Sequence, residues 1–134
     1  MLAQFLRPVA LALAIAALSL PAFAEAQHQW VRVTTDNYDN IYRLDKNVAG
    51  RGRYRRYWMS VVLTHPDPDS AWVWKKILSS IDCQTFQRRI RSGVWYDRKN
   101  KPFNTYAPGG DGQVETVPRK SIEGTIAKIA CDLK

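Results

Sequence analysis

Histidine and cysteine are scarce in this chain, two of each among 134 residues, and no cysteine comes before Cys83. Each scarcity excludes a class of function. With only His28 and His65, and with Cys83 and Cys131 as the sole thiols, there is no Ser-His or Cys-His arrangement to build a nucleophilic enzyme on. A metal centre would run short of ligands, and no cofactor is implied. The lack of a cysteine beside the N-terminal apolar run removes the residue a bacterial lipoprotein needs for acylation, so no lipid anchor is expected. No transmembrane anchor is expected either: the apolar run from Val9 to Leu20 stops at Pro21, well short of the roughly 20 residues that span a bilayer. Acidic residues are few as well, 12 against 20 Lys and Arg.

What is present begins with an export signal. Arg7 precedes the apolar run, and Ala22-Phe23-Ala24 supplies the small-x-small pattern that signal peptidase reads. Residues 1–24 are expected to be removed, with cleavage after Ala26 as the alternative, leaving one domain over 25–134 in the periplasm or secreted. Roughly 110 residues are enough for a single core. In an oxidising compartment the two cysteines form a disulfide, and two allow only one connectivity. The Cys83 to Cys131 loop is long, which in the chain-entropy account is worth about 4 kcal/mol. The formal charge is +8, and losing Arg7 leaves about +7, a balance that favours anionic partners. Nucleic acid is not an expected partner, and the residues do not specify an oligomeric state.

Alternation predicts strands over Gln29–Thr34, Ile41–Leu44, Arg53–Thr64, Ala71–Cys83 and Thr85–Tyr96, with a short last strand over Val114–Val117. Asp36 to Asn40 and the proline-rich His65 to Ser70 are turns. Asp45 to Val48 reads as one helical turn. In the third strand aromatics fall on both faces, so its inward face stays open. The polar stretch from Asp97 to Gly112 reads as a long loop; its Gly109-Gly110-Asp111-Gly112 lacks the strand-to-helix context of a phosphate cradle. Asp67 and Asp69 provide too few oxygens for calcium. From Pro118 to Leu133 the period changes: Ile122, Ile126, Ile129 and Ala130 form a helical stripe, with Pro118 suited to the first turn and Gly124 a cost of roughly 1 kcal/mol. The fold class is α+β: a meander-like antiparallel sheet of about six strands, one C-terminal helix packed on it, and one disulfide.

In chain order, Trp30-Val31-Arg32-Val33, Tyr42-Arg43-Leu44-Asp45 with Val48, Trp58, Ser79-Ser80-Ile81-Asp82-Cys83, the Arg-rich strand to Tyr96, and Pro118 leading to Cys131 resemble the bacterial surface-adhesin protein E family. The resemblance spans essentially the whole mature chain, and none of its pieces is catalytic. It implies the same sheet, helix and disulfide, together with adhesion to a host extracellular-matrix protein, as by an outer-membrane lipoprotein. The missing acylation cysteine is where this chain departs from that pattern.

Cationic and indole side chains concentrate in the middle of the chain. If consecutive strands pair, Arg53, Arg55, Lys76, Arg89 and Arg91 reach one face, with Trp72, Trp74 and Trp95 between them. Guanidinium groups pair bidentately with phosphate or carboxylate, and indoles stack on sugars or bases. The competing reading is a solvated sheet face on which tryptophans cover arginine stems. The functional expectation is a non-enzymatic exported domain that contacts a macromolecule at or outside the cell envelope. The alternative is a periplasmic accessory protein that binds an anionic envelope polymer such as lipopolysaccharide.

Overall fold

The computed structural model describes residues 27–108 and 112–134; the expected export signal, and the Gly109-Gly110-Asp111 part of the expected loop, lie outside the described residues. Seven strands and one helix are found among them: β1 Trp30–Thr35, β2 Ile41–Asp45, β3 Tyr54–Val62, β4 Trp74–Asp82, β5 Gln87–Tyr96, β6 Pro102–Tyr106, β7 Val114–Thr116 and α1 Ile122–Asp132. The first six form one antiparallel sheet in sequence order, and β7 pairs with the other end of β5. The expected meander and C-terminal helix are both present.

Three of the turns use the same device. Asp36 Oδ1 accepts the amides of Tyr38 and Asn40, Asp82 Oδ1 those of Gln84 and Thr85, and Asp97 Oδ1 those of Lys99 and Lys101. An aspartate that bonds backbone a few residues ahead substitutes for a ladder bond and reverses the chain. Two local expectations fail. No helical turn forms over Asp45 to Val48, because Asp45 ends β2 and its carboxylate takes the Asn47 amide at 2.9 Å. The stretch from Asp97 to Gly112 is not all loop, since Pro102–Tyr106 pairs with the end of β5. An exposed edge strand with one neighbour needs no apolar face, and a leading proline loses no bond that the edge requires.

The core lies between the sheet and α1. Leu44 from β2, Tyr57, Met59 and Val61 from β3, and Ile81 from β4 meet Ile126, Ala127 and Ala130 of the helix. This settles the inward face of β3: Tyr57, Met59 and Val61 turn to the helix, and Tyr54, Arg56, Trp58 and Ser60 turn away. On α1, Ala127 rather than Ile129 completes the buried stripe, and Ile129 is exposed. The helix starts later than expected. Ser121 is its N-cap, with Oγ accepting from the Gly124 amide at 3.0 Å, so Pro118 stands ahead of the helix. Gly124 is required here, because a Cβ at this position would sit 2.1 Å from the Pro118 carbonyl oxygen. The Cys83–Cys131 disulfide ties the end of β4 to the last turn of α1. No helix among the described residues is long and apolar enough to cross a membrane.

Candidate binding face

α1 packs over β2 and β3, and among the described residues no element covers the opposite face of the sheet. Two groups of side chains occupy that open face, one built from aromatics and one from arginines.

The aromatic group closes over three polar residues. His28, just ahead of β1, places Nδ1 2.6 Å from Asp45 Oδ2 and Nε2 3.1 Å from Lys76 Nζ. Asp45 and Lys76 are only 3% and 5% exposed, so the imidazole bridges two buried charges of opposite sign. Burial opposes the charged form of Asp45, but the Asn47 amide, the His28 ring and the Gln29 amide outweigh it and hold the carboxyl below its usual range. The lid is aromatic. His28 lies 4.6 Å from the Trp30 ring and 5.3 Å from Trp58, and Lys76 Nζ lies 5.0 Å from Trp58 and 5.8 Å from Tyr96. Beside them the Arg43 guanidinium stands 5.0 Å from Trp30 and 5.8 Å from Trp74 and donates from Nε to Ser60 Oγ; burial pulls its pKa down. Trp74 stacks on Tyr96 at 3.8 Å and donates Nε1–H to Asn100 Oδ1. These side chains satisfy one another, as a polar cluster under a hydrophobic lid must.

The arginine group lies toward the other end of β3, β4 and β5. Register sets Arg56 of β3 and Arg89 of β5 on either side of Ser80 of β4, in one row across three strands. Arg91 joins them through a bulge: Leu78 pairs with Ser92 and Ser79 with Ile90, so Arg91 is the extra residue, and its Nε donates to Ser80 Oγ at 2.8 Å. Arg89 donates to the Gly112 carbonyl at 3.0 Å. One row further, Arg53 Nε sits 3.0 Å from both oxygens of Asp82; that hydrogen bond holds the Asp82 carboxyl well below the usual range against its partial burial. Tyr54, 64% exposed, forms a wall. Together with Arg55 these residues line a groove of about 780 Å³ bordered by five arginines and one carboxylate.

The structure divides the residues expected on one face. Trp74, Lys76, Arg89 and Arg91 share the open face, although Lys76 lies beneath the aromatic lid rather than at the surface. Arg53 and Trp72 precede β3 and β4; Arg53 lines the groove, whereas the Trp72 ring has the Lys75 ammonium 5.4 Å away. Arg55 and Trp95 turn to the helix side. Arg55 Nη1 donates to the Ala130 and Leu133 carbonyls, capping a helix whose last turn has no basic residue. Trp95 is displaced because the bulge at Arg91 reverses the alternation of the rest of β5, sending Val94 and Tyr96 outward instead. Sequence reasoning passed over Arg56, Ser80, His28 and Asp45. The available signal was the alternation of Arg56 with Trp58 and Ser60, once Tyr57, Met59 and Val61 are taken as core.

The fold and this face define a small α+β domain: a one-sided antiparallel sheet, stapled to its single helix, with a cationic and aromatic side left uncovered. Residues 30–132 match the surface-adhesin protein E family, and the chain belongs to that family. It is also similar to the solved structure of Haemophilus influenzae protein E, with a TM-score of 0.51 over 80% of this chain and 86% of that one. At 12% identity this likeness establishes the fold alone. No curated protein sequence matches the chain.

Proposed function

We propose that this chain is an exported, non-enzymatic adhesive domain that contacts an extracellular-matrix protein through the open face of its sheet. The observation that carries the reading is the row of Arg56, Ser80 and Arg89 with Arg91 folded into it, on the side of the sheet that α1 leaves bare. Membership of an adhesin family supports it. Cations that flank a small hydroxyl residue, Arg56 exposed and Arg89 and Arg91 half-buried, suit contact with acidic groups on a partner, and the Tyr54 ring beside them adds apolar area at little entropic cost.

Export follows the pattern at Arg7, Val9 to Leu20 and Ala22-Phe23-Ala24, so the mature domain starts at Glu25 or Gln27 and leaves the cytosol. N-terminal sequencing of the protein from cell fractions tests this, and an intact Met1 would contradict it. Recovery from the medium or the outer surface fits adhesion, whereas full retention in the periplasm would favour binding to an envelope polyanion.

Solid-phase binding to a panel of purified extracellular-matrix proteins tests the face. Arg56→Glu with Arg91→Glu should abolish binding, while Lys128→Glu on the exposed side of α1 should leave it unchanged. Equal effects of the two changes would reject the open face as the contact surface.

A further inference from the structure

Arginines gathered in one row of an open sheet face concentrate positive charge there. Here Arg56 and Arg89 flank Ser80 in one row, and Arg91 enters the same space through a bulge that costs β5 a ladder position. Directly opposed side chains have Cβ atoms about 5 Å apart, so Arg56 and Arg89 stand roughly 10 Å apart with a small residue between them. Arg91 bonds the Ser80 hydroxyl, Arg89 reaches the Gly112 carbonyl, and Arg56 stands across Ser80 from both. The carboxylate that lines the groove, Asp82, is held by Arg53 in an ion pair of 2.9 Å. The Arg56 side chain makes no hydrogen bond to any described residue, so its donors face solvent. Arg56 is thus an exposed cation beside two further arginines on the open face, a composition suited to an anionic ligand.

We infer that the groove over Ser80 is a subsite for a tetrahedral oxyanion, the sulfate or phosphate group of an acidic glycan, held by Arg56, Arg89 and Arg91. The inference rests on the open-face reading above and names the chemistry recognised there. Arginines from β3 on one side and β5 on the other can share the three outward oxygens of a sulfate or phosphate ester, one more acceptor than a carboxylate offers. The exposed Tyr54 ring at the groove wall provides a surface on which a sugar ring stacks, and the groove volume of about 780 Å³ has room for sugar units on either side of the anion. The same chemistry serves a sulfated host polysaccharide and a phosphorylated bacterial one, and the experiment separates them.

The test is calorimetric titration of the mature protein with a heparin oligosaccharide, the same oligosaccharide after chemical desulfation, and a phosphorylated oligosaccharide released from lipopolysaccharide. The sulfated or the phosphorylated ligand should bind, with affinity falling steeply as salt rises, and the desulfated one at least tenfold more weakly. A preference between the two binders identifies the source of the anion. Arg56→Ser with Arg91→Ser should reduce binding at least tenfold, and Arg56→Gln alone should weaken binding while leaving the melting temperature nearly unchanged, since Arg56 is exposed and exposed charges contribute little to stability. Equal affinity for the sulfated and desulfated ligands, full affinity in a folded Arg56→Ser, Arg91→Ser protein, or no binding to either anionic ligand would each overturn the inference. Loss of matrix-protein binding in Arg56→Glu, Arg91→Glu alongside any of those results would leave the adhesive reading standing without the glycan.

Discussion

At the scale of single residues, the molecule separates charges that hold the fold from charges left on the open face of the sheet. Arg55 and Arg88 are of the first kind. Arg55 closes the end of α1, and Arg88, 6% exposed on the helix side of β5, pairs with Glu115 of β7 and with Glu123 of α1 at 2.8 Å. Burial opposes the Arg88 charge, but those two glutamates outweigh it; burial likewise pushes the neighbouring Tyr57 hydroxyl up to about 12. Asp45 is also structural, and its lowered pKa makes stability depend on pH. A carboxyl whose folded pKa lies below the unfolded value of about 3.9 contributes stability above that value and loses it as pH falls through the folded pKa. Denaturation midpoints measured across acid pH should therefore decline below about pH 4. Asp45→Asn should lower the midpoint near neutrality and flatten the decline; an unchanged slope would show that Asp45 is not among the groups responsible. Little of this was legible in the sequence, because period-two alternation cannot say which of two basic sets faces the helix. Arg53 and Arg55 had the spacing of a binding pair, and only the core position of Tyr57 shows that Arg56 is the one presented.

At the scale of elements, strands β1 to β5 and the helix follow from alternation and from the stripe of apolar residues on α1, because burial of one face imposes those periods. What escaped the sequence is β6, which has no buried face, and the phase reversal in β5, which depends on a single inserted residue. Gly124 carries the sharpest test at this scale. Alanine at a helical glycine usually stabilises by up to about 1 kcal/mol. Here the Cβ would also meet the Arg119 carbonyl oxygen at 2.7 Å, so the segment ahead of α1 must shift. Gly124→Ala should destabilise by about 1–3 kcal/mol in chemical denaturation, the range for forced overpacking. A gain in stability would mean that the Pro118–Arg119 backbone moves aside freely.

At the scale of the whole molecule, a small domain has one sheet face to bury and one to use. The Cys83–Cys131 disulfide, across a sequence separation of 48 residues, holds the helix on the buried face. Cys83→Ser with Cys131→Ser should lower unfolding free energy by about 2–5 kcal/mol, and reductant should do the same to the parent protein; midpoints insensitive to both would show that the staple is idle. The other face is then available for contact over its full width, with the aromatic cluster fixing one end and the arginine groove open at the other. The disulfide and the sheet order could be read from the residues, because each depends on a local pattern or on one pairing. The groove could not, since it exists only where three strands come into register around Ser80. Its role as the contact surface is tested most directly by backbone amide shift mapping of the isotopically labelled domain during titration with a heparin oligosaccharide. The account predicts shifts at Tyr54, Arg56, Ser80, Arg89 and Arg91 and none along Ile122–Asp132; shifts concentrated on the helix, with the groove unmoved, would contradict it.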